Sequence, residues 1–152
     1  MTAIGFSVPG HPLTWQRPPE AGRGRYDARG LAATAYQAVV GGRALQARQR
    51  ARRRGIVWPL DGIYRVSVAG WWPDAREGDE DRLRSLVYDA LQGVLYASDR
   101  QVKSSGRGGI GLPTRSGPRL AVLVELITEA DRERDALDVE RRARAAAEGR
   151  AA

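Results

Sequence analysis

Residues 119–127, Arg-Leu-Ala-Val-Leu-Val-Glu-Leu-Ile, form a nearly unbroken apolar run. Its length suits one strand, and apolar side chains on both faces belong to a strand buried inside a sheet. The chain is thereby committed to a sheet whose other strands and cover must come from the surrounding segments. Residues 3–8 read as a short strand closed by Pro9 and Gly10, and residues 62–72 alternate around Ile63, Val66 and Val68 before Trp71 and Trp72. Between them, residues 30–54 are helical in pattern, with Leu31, Ala35, Ala38, Val39 and Leu45 mostly on one face. A second helix is expected over 79–95, with Leu83, Leu86, Val87, Ala90, Leu91 and Val94 on one stripe. Residues 99–104 are expected to form a strand, followed by a loop rich in Gly, Ser and Arg. From Glu129 onward the charged, Ala-rich sequence predicts a surface helix that frays at its end. The order β-α-β-α-β-β-α, with no internal repeat, predicts an α/β domain: a mixed sheet with packed helices, an α+β arrangement also being compatible. In 152 residues there is material for one core but not two, so a single domain over 1–128 with a helical tail over 129–152 is expected.

The chain carries a formal net charge of +7, and every basic residue except Lys103 is arginine. Arginine's planar fork suits phosphate, so nucleic acid is the natural class of partner, although a GC-rich genome would also enrich arginine. Six arginines crowd between Arg43 and Arg54, more than a helix dipole requires. A solvated basic face and a phosphate-contacting surface both account for them. There are no cysteines, and His11 is the sole histidine. Disulfides, thiolate zinc sites, a cysteine nucleophile and a multi-histidine metal centre are excluded. Any chemistry must rest mainly on carboxylates, hydroxyls and cations. The N-terminus has no signal-peptide pattern, and no run approaches the roughly 20 apolar residues that span a bilayer, so a soluble chain without a membrane partner is expected.

Against this basic background, Asp79, Glu80 and Asp81 stand together at the start of the second helix. Carboxylates there cap orphan amides and complement the dipole, and one would suffice for that. Three in succession repel one another, and a divalent cation such as Mg²⁺, which takes carboxylates together with phosphate oxygens and water, would relieve the repulsion. Asp99 lies beyond the helix, about 24 Å away for some 16 residues. It meets Asp79 and Asp81 only if the chain folds back along the helix or a partner subunit supplies it. Asp-x-Asp alone also occurs in metal-dependent transferases acting on nucleotide-linked substrates. The calcium-loop pattern fails for want of its glycine and distal glutamate, and the Gly-rich segment 106–111 lacks the Lys-Ser/Thr of a phosphate-cradling loop.

The segment 79–102 as a whole resembles the RusA-type Holliday junction resolvases. Their pattern runs Asp-x-Asp-Asn-Leu-x-Lys, then Asp-Ala-Leu-Asn-Gly-Val, then Asp-Asp-x-Gln-Val. Here the counterparts are Asp79-Glu80-Asp81-Arg82-Leu83-Arg84-Ser85, Asp89-Ala90-Leu91-Gln92-Gly93-Val94 and Ser98-Asp99-Arg100-Gln101-Val102. A weaker likeness extends over residues 4–127. The resemblance implies a homodimeric endodeoxyribonuclease, dependent on Mg²⁺ with Mn²⁺ as a substitute, that nicks two opposing strands of a four-way DNA junction. It implies Asp79, Asp81 and Asp99 as metal ligands and catalytic residues, with Asp89 in a structural role. The family lysine falls at Ser85 and the family asparagine at Arg82. Arg82, Arg84 or Lys103 would have to restore the cation. Lys103, four residues after Asp99 and on the same face if both lie on a strand, is the candidate catalytic lysine, with a phosphate contact or plain exposure as the competing reading.

Under this reading Arg17, Arg23, Arg25, Arg52, Arg53, Arg54, Arg82, Arg84, Arg107 and Arg115 are candidates for DNA binding through phosphates. Trp15, Trp71 and Trp72 either stack on unpaired bases or belong to the core or a dimer interface. Loss of the family lysine motivates an alternative, a non-catalytic branched-DNA-binding protein on the same fold. A cytoplasmic location is expected, that of the host if the chain is phage-encoded.

Overall fold

The computed structural model of the chain describes residues 2–14, 28–73, 79–105, 109–110 and 117–149. The apolar run 119–127 supplies β5 (Arg119–Leu126), an interior strand paired antiparallel with β1 (Ala3–Pro9) on one side and β2 (Tyr64–Trp71) on the other. β3 (Val102–Ser105) and the two-residue β4 (Gly109–Ile110) run parallel to β2 on its far side. The result is a mixed sheet in the order β1-β5-β2-β3, with β4 continuing beside β2. Three α-helices accompany it among the described residues: α1 (Ala28–Arg53), α2 (Glu80–Leu91) and α3 (Glu129–Gly149). The chain is thus a single small α/β domain, and no helix among the described residues is long and apolar enough to cross a membrane.

Strand alternation decides the two faces of the sheet. Ile4, Phe6 and Val8 of β1, Leu120, Val122 and Val124 of β5, and Tyr64, Val66 and Val68 of β2 are buried on the face that α1 and α2 cover. The other face carries small residues such as Ser7, Ser67, Ala69 and Ala121, with Leu123 39% exposed among them. Parallel β2 and β3 require a crossover, and α2 provides it. Its stripe of Leu83, Leu86, Val87, Ala90 and Leu91 is buried as expected.

α1 overturns the expected inward face. Leu31, Val39 and Leu45 are 52%, 49% and 45% exposed, while Ala33, Val40, Ala44, Ala47 and Ala51 are buried. The reason is close approach. A Cβ on Gly41 would come 3.1 Å from the Ala90 carbonyl, so α1 lies against α2 along its smallest side chains. Alanines fill the closest part of the contact, with Val40 buried and Tyr36 packed against the core beside them.

α2 ends at Leu91 instead of Leu95. Gln92 is extended, and Gly93 takes φ +78°, a left-handed conformation that glycine adopts without cost, while its amide donates to the Tyr96 carbonyl at 2.7 Å. Leu95 and Tyr96 are buried beyond this turn. Residues 99–104 also differ from expectation. Asp99–Gln101 is a turn of 3₁₀ helix, and strand pairing begins only at Val102.

Two aromatic groups lock the ends of the crossover. At its lower end the Trp58 ring stacks on Tyr64 at 5.4 Å and its indole donates to the Leu95 carbonyl at 2.7 Å. Tyr64 in turn meets Tyr96 at 5.8 Å. At the upper end the buried Trp72 donates to the Pro12 carbonyl at 2.8 Å. There Gly70 has no room for a side chain, since a Cβ would lie 2.6 Å from the Trp72 ring and 2.8 Å from Leu83.

Burial raises the phenol pKa of Tyr36, Tyr64, Tyr88 and Tyr96 above the ordinary 10.0, with Tyr88, Asp99 and Asp89 adding to the effect at Tyr96. Unfolded phenols ionise near 10 while the folded ones stay protonated. Their contribution to stability is therefore complete below pH 10 and falls as pH climbs toward the folded values. In an alkaline titration, tyrosinate absorbance and loss of far-ultraviolet circular dichroism should rise together. Full tyrosinate formation near pH 10 with the dichroism intact would contradict this packing.

Candidate functional site

Asp79 is the N-cap of α2. Its side chain accepts from the Arg82 amide at 3.2 Å, and its second oxygen pairs with the Arg82 guanidinium at 3.1 Å. One turn on, Glu80 holds the half-buried Arg84 in an i,i+4 ion pair. Arg82 and Arg84, candidates both for DNA and for the missing lysine, are thus each engaged by a carboxylate of their own helix. Asp81 is exposed, and Ser85 and Asp89 follow it at four-residue steps along α2, also exposed. That spacing sets the three on one side of the helix.

Asp99 opens the 3₁₀ turn on the far side of the crossover. Ser98 caps the turn, accepting from the Arg100 amide at 3.3 Å and donating to Asp99 Oδ1 at 3.3 Å. Gln101 fixes the whole element. Its side-chain Oε1 accepts from the amides of Ala97 at 2.9 Å and Ser98 at 2.8 Å, and its Nε2 donates to the carbonyls of Leu60 at 2.8 Å and Gly62 at 2.7 Å. Spacing did not single out Gln101, yet the sequence signal was present: Ser98-Asp99-Arg100-Gln101 has the S-x-x-Q form of a capping box.

The crossover separates the carboxylates. Leu83, in the first turn of α2, packs beside Gly70 near the upper end of β2, whereas Tyr96 meets Tyr64 at the lower end. Twelve helical residues span about 18 Å. β3 then runs back up beside β2 from Val102, paired with Tyr64, which carries the chain away from Asp99 without moving Asp99 upward. Asp79 and Asp81 therefore lie at one end of the crossover and Asp99 at the other. Among the described residues, no three acidic or histidine side chains are grouped to hold a metal ion. Within one chain the three aspartates are not brought together. Lys103 is exposed on β3, and the same-face relation expected between it and Asp99 is lost because Asp99 is in the 3₁₀ turn.

The arginine run at the end of α1 fans out. Arg52 borders a cleft with Arg48, Val57 and Trp58, and Arg53 sits beside Gln46 and Gln49. Arg54 turns toward β1, beside Arg43 and Arg50. Trp72 is a core residue, not a free stacking surface. Trp71 lies on the opposite face of the sheet with the Arg119 guanidinium 4.2 Å from its ring centre. Arg17, Arg23, Arg25, Arg107, Arg115 and Trp15 lie outside the described residues. No protein-family model matches the chain, and no curated protein matches it.

Proposed function

We propose that the chain is a junction-resolving endodeoxyribonuclease that works as a pair of identical subunits on four-way DNA. The observation that carries this reading is the separation of Asp79 and Asp81 from Asp99 by the length of α2. A complete set of three carboxylates then needs Asp79 and Asp81 from one chain and Asp99 from the other. Two chains make two such sets, and paired nicks in opposing strands need two. The motif over 79–102, the exposed aspartates at both ends and the +7 net charge all support a nucleic acid substrate, and a cytoplasmic location goes with that reading. Mg²⁺, with Mn²⁺ as a substitute, is the expected cofactor of the assembled pair.

A second reading, branched-DNA binding without cleavage, is favoured by one observation. Ser85 stands exposed where a lysine is expected, and neighbouring Arg82 and Arg84 are already paired with Asp79 and Glu80. An end-labelled four-way junction and a linear duplex, each incubated with the protein in Mg²⁺, Mn²⁺ or EDTA, separate the two. Paired metal-dependent nicks near the branch establish the nuclease. Tight junction binding with no nick in any metal establishes the binding protein.

A further inference from the structure

Arg43, Arg50 and Arg54 border a groove whose other wall is β1, lined by Ala3 to Ser7. Arg43 and Arg50 are seven residues apart on α1, which turns the helix by only about −20° over about 10.5 Å, and Arg54 follows in the turn that ends α1, so the three guanidiniums border the same groove. All three are exposed, and none has a carboxylate partner among the described residues. Among the described residues no acidic side chain lines the groove. Among the described residues β1 pairs only with β5, so its outer edge carries backbone amides outside the sheet's ladder beside this groove.

From this geometry, and resting on the DNA reading above, we propose that the β1–α1 groove is the track for the phosphate backbone of one junction arm. The three guanidiniums supply point-by-point neutralisation, and the free edge supplies further donors to phosphate oxygens. The groove lies on the far side of the sheet from β3 and Asp99, three strand spacings or about 14 Å away. It therefore holds the arm at a distance from the carboxylates and sets affinity and orientation. Three arginines facing a sheet edge also discourage edge-to-edge pairing of two chains, and that role alone would leave DNA binding untouched.

The test is the salt dependence of binding to a fluorescently labelled four-way junction. It uses the wild-type chain, an Arg43→Gln/Arg50→Gln/Arg54→Gln variant, and an equal-charge control, Arg132→Gln/Arg134→Gln/Arg142→Gln on α3. Each phosphate contact contributes about 0.9 to the slope of log K against log salt. The groove variant should lose about two to three units of slope and at least about tenfold in affinity, while the α3 variant keeps the wild-type slope. An unchanged slope in the groove variant, or an equal loss in the α3 variant, overturns the track. Absence of wild-type binding to junction or duplex would instead overturn the DNA reading on which it stands.

Discussion

Mixing Asp81→Asn chains with Asp99→Asn chains should restore nicking that neither variant performs alone. Each variant alone loses a carboxylate from both sites of its pair, and a loss on the order of 10³-fold is expected for removing several kcal/mol of charge stabilisation. In a mixed pair the two lesions fall in the same site, because Asp81 of one chain works with Asp99 of the other. The second site is then wild type throughout. Random pairing makes half the pairs mixed, so roughly a quarter of all sites are intact. The product should change too, from paired nicks to a single nick per junction. Were each site built within one chain, every site in the mixture would carry a lesion. A mixture as inactive as its components therefore rejects the shared site. Far-ultraviolet spectra of both variants should match wild type, since Asp81 and Asp99 are exposed.

The largest stability loss is expected from Trp72→Ala. Trp72 is only 2% exposed, and its indole makes the bond that ties Pro12 to the top of β2. Truncating a buried tryptophan costs about 3–5 kcal/mol, and the Pro12 carbonyl loses its donor as well. That is a large share of the roughly 5–15 kcal/mol that holds a domain of this kind together. Trp72→Phe keeps most of the volume and should be milder. Urea unfolding measures both, read as a shift in midpoint at constant slope. A loss below about 1 kcal/mol for the alanine variant would mean that residues near Pro12 and Leu83 close over the space.

Much of the fold was legible because the sequence keeps its two periods distinct. The unbroken apolar run at 119–126 announced an interior strand, and the stripe from Leu83 to Leu91 announced the buried face of α2. α1 was legible as a helix but not by face. Its larger apolar residues, Leu31, Val39 and Leu45, suggested burial, while the contact of Gly41 with Ala90 demanded alanines. Periodicity reports which residues share a face, whereas the size of the gap between two helices depends on tertiary packing. The aspartates were identifiable by type and spacing, and the helix between them posed their separation, but whether the chain folds back to close it was not legible. The separation follows from β3 lying parallel to β2, a pairing that no local pattern encodes. The sequence around 99–104 reads as a strand. Ser98 and Gln101 instead close a capped turn, since their side chains satisfy backbone groups that a strand would leave to the sheet.

The four bonds of Gln101 bind the 60–62 loop and the turn bearing Asp99 into one unit. Surface connections ordinarily tolerate insertions, since lengthening a loop costs little. Here a residue added between Leu60 and Gly62 would move both carbonyls that anchor the carboxamide and shift Asp99 with them. Drift in chain length should therefore be suppressed in this short loop although Asp61 at its tip is exposed. In this loop, length is set by the carboxamide that holds both its ends.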